Sequence, residues 1–140
     1  MTGEDIITHL GLERHPEGGW YRQTWIAGDG PRPSGTCIYF LLCAGERSHW
    51  HRVDATEIWH FYAGAPLILR QAAAADGVAE RHMLGPDLLS HARPQVIVPE
   101  GYWQSAETTG DWTLVGCTVS PAFQFSGFDL APPDFEIPER

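Results

Sequence analysis

Short runs of aromatic and β-branched residues, each stopped by Gly, Pro or Asp, follow one another along almost the whole chain, and this punctuation limits what it can fold into. Such runs suit the pleated, half-buried surface of a sheet, and their stops are the residues that turns require. Candidate strands are Tyr21–Ile26, Cys37–Cys43, Ser48–Val53, Glu57–Tyr62, Leu67–Gln71, Val78–Leu84, Gln95–Val98, Tyr102–Glu107, Thr113–Val119 and Gln124–Phe128. Helical spacing occurs once, at the N-terminus. There Thr2 can cap, Asp5 stands in capping-box register, Ile6, Ile7 and Leu10 form an apolar side, and Gly11 ends the element. The expectation is an all-β domain, a sandwich, jelly roll or small barrel, with one short N-terminal helix. Gly85–Pro94 reads as an irregular connection. Pro132, Pro133 and Pro138 cannot donate ladder hydrogen bonds, so the ordered core is expected over about residues 4–130, with 131–140 as a Pro-rich tail.

A chain of 140 residues with 43% apolar and 19% charged content suffices for one compact domain with a core, and argues against disorder as the main state. The formal net charge of −9 repels a phosphate backbone and an anionic bilayer, so neither nucleic acid nor a membrane is an expected partner. The longest unbroken apolar run, Cys37–Ala44, is far shorter than the ~20 residues needed to span a bilayer. The N-terminus lacks the basic and apolar regions of a secretion signal, and a cytoplasmic location is expected. Cys37, Cys43 and Cys117 are odd in number and lack C-x-x-C spacing, which fits buried thiols in a reducing compartment.

The stretch from Gly45 to Gly64 carries the chemistry. Strand alternation places His49 and His51 on one face, and Glu57, Trp59 and Phe61 on one face of the next strand, with Ile58, His60 and Tyr62 turned away. Two imidazoles and a carboxylate brought together by a hairpin are the right groups to bind a first-row transition metal or to move protons. Tyr102 and Gln104 share a face of a later strand; opposite Glu57, they would close a hollow with aromatic walls and a few polar tips.

Gly45, five residues, His51, one residue, Val53, three residues, Glu57, six residues, Gly64 resembles the first cupin motif, with Val53 where its second His stands. Pro99-x-Gly101-x-x-Gln104 resembles the second motif, with Gln104 in place of its His. Together with His15-Pro-Glu-Gly-Gly-Trp-Tyr-Arg22, Pro94-Gln-Val-Ile-Val-Pro-Glu-Gly and Leu114-Val-Gly-Cys-Thr-Val-Ser-Pro-x-Phe, these blocks resemble a small cupin subfamily of single-domain proteins. The resemblance implies a double-stranded β-helix, that is, a jelly roll with a central pocket, assembled as a homodimer. It also implies kinship with sugar-nucleotide epimerases of the cupin class, which use a His base and a Tyr acid without metal.

Three functional readings follow. In the first, the pocket binds a small molecule with a sugar-like or carbonyl-bearing part and isomerises or epimerises it: His51 takes a proton beside the carbonyl, Glu57 fixes the imidazole tautomer, and Tyr102 returns a proton. Arg22, Trp59, Phe61 and Gln104 would bind the ligand. In the second, His49, His51, Glu57 and Gln104 hold a divalent transition metal for oxidation or hydrolysis. Typical metal-binding cupins supply three His and one Glu, and only His51 and Glu57 stand in register here, so the absence of a cofactor is the favoured expectation. In the third, the protein binds a ligand without transforming it, and the residues alone do not decide whether it is an enzyme.

Overall fold

The computed structural model describes all 140 residues. A helix, α1 (Gly3–Leu10), opens the chain, with Thr2 and Asp5 closing the reciprocal capping box and Gly11 ending it at φ 66°. Eleven strands follow: β1 (Glu13–Arg14), β2 (Trp20–Ile26), β3 (Thr36–Cys43), β4 (Arg47–Val53), β5 (Thr56–Gly64), β6 (Leu67–Ala72), β7 (Glu80–Leu84), β8 (Gln95–Val98), β9 (Trp103–Thr108), β10 (Trp112–Ser120) and β11 (Phe128–Leu130). They form two antiparallel sheets in the orders β1-β2-β3-β10-β5-β8 and β11-β4-β9-β6-β7, a jelly roll with its core between the sheets. Nine of the expected strands appear close to their expected limits. The run 124–128 differs: a single 3-10 turn at Phe125–Gly127 takes most of it, and only Phe128 enters β11.

Between the sheets, Phe40, Leu42, Trp59, Leu67, Leu69, Leu84, Val98 and Val115 make the main core. Burying an aromatic or large aliphatic side chain contributes roughly 1.5–3 kcal/mol, so this cluster fixes which face of each strand turns inward. A second cluster, Trp50, Ala72, Ala79, Trp103, Ala131 and Ile137, lies on the back of the five-stranded sheet. Its last two members correct the expectation for the tail, which is strapped down rather than left outside the core. Ile137 is buried, Glu136 accepts from Arg47 and from Trp50 Nε1, and Glu139 pairs with Arg70 and Arg81. Proline excludes sheet pairing but not packing, and the apolar and acidic residues around the prolines make these contacts. No helix is long and apolar enough to cross a membrane.

Candidate functional site

One end of the jelly roll encloses a cavity of about 340 Å³. Its wall includes His51 and Val53 of β4, Glu57 of β5, Tyr21 of β2, Thr36 and Ile38 of β3, and Val119 of β10. The loop that carries His15 and Glu17 and the segment that carries Phe123 and Phe125 complete it. Glu57 projects inward as alternation requires, and with 7 % of its surface exposed it is a carboxylate held inside the protein.

Glu17 was not among the sequence candidates, and its position follows from the turn after it. Gly18 and Gly19 both take positive φ, and a Cβ on Gly18 would lie 2.0 Å from the Arg47 carbonyl oxygen. Only glycine lets the loop press this closely onto β4, and the approach drives the Glu17 side chain inside. The backbone of Glu17 also reshapes β4. His49 donates its N–H to the Glu17 carbonyl at 2.8 Å instead of to the ladder, and the pairing of β4 with β9 shifts register between Ser48 and His51. This irregularity breaks alternation, so His49 and His51 do not share a face. The His49 ring lies 2.8 Å from the Pro132 carbonyl in the tail, whereas His51 is 1 % exposed and lines the cavity.

Hydrogen bonds settle most of the proton positions. His51 Nδ1 lies 2.7 Å from the His49 carbonyl oxygen, which can only accept, so Nδ1 carries a proton and Nε2 of the neutral ring holds a lone pair. The His49 carbonyl, rather than Glu57, thus sets the tautomer. His15 Nδ1 accepts the Glu17 backbone N–H at 3.1 Å. Glu17 Oε1 stands 3.3 Å from His15 Nδ1 and 3.6 Å from His51 Nε2, facing lone pairs on both rings. Ser48 donates its hydroxyl to the other carboxyl oxygen of Glu17. Three acceptors in contact call for a proton among them, and burial places it on the acid: desolvation raises the Glu17 pKa to about 8 and depresses that of His51. Desolvation likewise lifts Glu57 to about 7 and lowers His15 to about 4.

Gln104 lies outside the cavity wall and joins two buried groups. Its Oε1 accepts from Trp59 Nε1 at 2.8 Å and its Nε2 donates to Glu57 Oε1 at 2.8 Å. Because indole only donates, the amide orientation is unambiguous, and Gln104 acts on the cavity through Glu57. Trp59 and Phe61 pack in the main core and not on the cavity wall. Tyr102 also packs against that core; the phenol in the cavity is that of Tyr21, whose ring meets His15 edge-on at 4.6 Å. Arg22 borders the cavity, but its Nη1 donates to the Leu10 carbonyl at the end of α1. The four groups suggested for a metal therefore do not converge: His49 faces the tail and the Gln104 oxygen is taken by Trp59. No group of three His, Cys, Asp or Glu side chains has metal-holding geometry, and the set His49, His51, Glu57 and Gln104 does not form a metal site here.

The family model of Cupin_5, described as Cupin superfamily (DUF985), matches residues 4–131. The chain belongs to this cupin family. Among solved structures, protein SO0799 from Shewanella oneidensis is 40% identical with a TM-score of 0.88, over 94% of this chain and 85% of that one. A hypothetical protein from Leishmania major is 29% identical with a TM-score of 0.85, over 94% and 88%. An oxalate decarboxylase variant from B. subtilis is 11% identical with a TM-score of 0.64, over 84% of this cupin and 29% of the decarboxylase, a likeness of fold alone. No curated protein matches the chain. Of the blocks that carried the resemblance, His15–Arg22 is the one whose chemistry was missed. A carboxylate followed by two glycines reads equally well as a tight surface turn, and the close approach to β4 depends on contacts distant in sequence.

Proposed function

We propose that this cupin is a metal-independent acid–base enzyme, an isomerase or epimerase acting on a small sugar-like or carbonyl-bearing ligand in the cavity. The observation that carries this reading is the pair formed by His51 Nε2 and Glu17 Oε1, 3.6 Å apart on the cavity wall, with Glu57 as a second buried acid. His51, its pKa lowered by burial, offers a lone pair, and Glu17, raised to about 8, offers a proton.

In the proposed step His51 Nε2 takes the proton from the carbon beside the carbonyl, and the electron pair of that C–H bond moves into the carbonyl as an enol or enolate. Glu17 then delivers its proton to the former carbonyl carbon, while the hydroxyl proton on the carbon that lost its hydrogen passes to the enolate oxygen, so that the carbonyl moves by one position. Imidazolium and carboxylate remain, and a proton passed from His51 to Glu17 restores the starting state. The negative charge of Glu57 favours the imidazolium. Glu17 takes the acid role first given to Tyr102.

The test is solvent exchange. Aldoses, ketoses and α-amino or α-hydroxy carbonyl compounds are incubated with the protein in deuterated water and followed by NMR. Deuterium should enter at the carbon beside the carbonyl and should stop entering with Glu17→Gln. Compounds that bind and come back without deuterium would leave a binding protein instead.

A further inference from the structure

From the charges around this cavity we infer that it takes a compact organic cation, a small molecule bearing an ammonium or other onium group. The inference rests on reading the cavity as a ligand site and is independent of the proton-transfer step. Six of the nine cationic side chains are arginines spent on carboxylates elsewhere: Arg14, Arg32, Arg47, Arg52, Arg70 and Arg81. None of them reaches the cavity. Its wall carries Glu13, Glu17 and Glu57, and its one arginine, Arg22, gives its guanidinium to the Leu10 carbonyl. Within 4 Å the basic groups facing Glu17 are the neutral imidazoles of His15 and His51, and no cationic side chain pairs with Glu57. A buried carboxylate without a fixed cation is costly unless it keeps its proton or a ligand brings the charge.

Two further features point to an organic cation. His51 is almost fully buried, and its Nε2 has no hydrogen-bond partner in the protein while it borders the cavity. Tyr21, Phe123 and Phe125 supply aromatic surface at the same cavity, and Phe125 keeps 53% of its surface exposed. Aromatic faces beside carboxylates are the environment in which onium groups bind, and a net charge of −9 draws cations toward the protein. A neutral ligand would gain no charge pairing from Glu57. A cation favours the ionised form of Glu57, so its binding releases that proton and strengthens as the solution becomes more alkaline, while Glu17 keeps its own.

Calorimetric titration with choline, ethanolamine, uncharged dimethylbutanol (the carbon isostere of choline) and anionic dimethylbutanoate tests the inference and separates quaternary from primary ammonium. At least one cation should bind about tenfold more tightly than dimethylbutanol, and more tightly at about pH 8 than at about pH 6. Glu57→Gln should abolish that preference. Should the variant not fold, Phe125→Ala, at an exposed position, should weaken the cation severalfold with dimethylbutanol unaffected. Equal binding of cation and isostere, preference for the anion, or no binding by either cation would overturn the inference. Cation binding without deuterium exchange would sustain it while removing the proposed reaction.

Discussion

Glu17→Gln is the substitution on which the account of the site stands most exposed. The side chain keeps an oxygen to accept from Ser48 and gains an N–H that can face His51 Nε2, so shape is nearly conserved while the titration disappears. In the folded wild type Glu17 holds its proton to about pH 8, whereas unfolded it releases it near 4.5. The native state therefore binds the extra proton, and stability falls as pH rises through that window. His15 and His51 work the other way. Their folded pKa values lie below 6.5, the unfolded chain binds more protons below that value, and stability from this source is lost as pH falls. The two trends offset one another between about pH 4.5 and 6.5. Above 6.5 only the acids titrate. At about 1.4 kcal/mol per pH unit per proton, Glu17 should cost wild type about 2 kcal/mol by pH 8, and Glu57, released by about pH 7, under ~1 kcal/mol. Urea unfolding at intervals from pH 5 to 8.5 measures this, and with an m-value of about 2 kcal/mol/M the wild-type midpoint should drop by about 1 M across the alkaline half. Glu17→Gln should lose less than half as much. A decline of the same size in the variant would refute a buried proton on Glu17 and, with it, the acid–base pair.

Ser48→Ala removes the hydroxyl that steadies the Glu17 carboxylate, so the alkaline decline should extend to higher pH in the same urea series. Gln104→Leu leaves the Trp59 indole N–H and a Glu57 oxygen without their buried partner; a loss of about 2–4 kcal/mol is expected in urea unfolding at neutral pH. Truncation after Leu130 uncovers the Trp50 cluster, removes the carboxylate partners of Arg47 and Arg81, and leaves Arg70 with Glu107 alone. It should cost about 2–4 kcal/mol in thermal or urea unfolding, and an unchanged midpoint would show that the strap contributes nothing.

The strands were legible because alternation and turn residues are local properties. Glu57 was legible for the same reason: its inward direction needs only the parity of β5. His49 was not, because the irregularity that separates it from His51 is set by a hydrogen bond to the backbone of Glu17, thirty-two positions away. Tyr102 shows a different failure. Parity with Gln104 correctly turns it toward the interior, but an interior face includes packed core as well as cavity, and its ring packs against the core. Glu17 lay within a block that marked the family, yet its burial comes from the fit of Gly18 against Arg47 and no periodicity announces that fit.

The replacement of two motif histidines by Val53 and Gln104 has a consequence beyond missing ligands. Val53 gives the cavity an apolar wall where another imidazole would have hydrated and charged it. Gln104 connects a group that only donates, the Trp59 indole, to a group that accepts, the Glu57 carboxyl, and both its ends are satisfied. To coordinate a cation, its oxygen would have to abandon the indole N–H, leaving a buried donor unpaired at a cost of about 1–3 kcal/mol. This arrangement holds Glu57 in place through one oxygen. Glu17 and His51 are fixed on their far sides only: Ser48 occupies the far oxygen of the acid, the His49 carbonyl occupies the far nitrogen of the ring, and Glu17 Oε1 and His51 Nε2, 3.6 Å apart, share no hydrogen bond. The fixed bonds on either side thus leave two proton-exchanging atoms open at the cavity wall, the place where a bound ligand enters the proposed exchange.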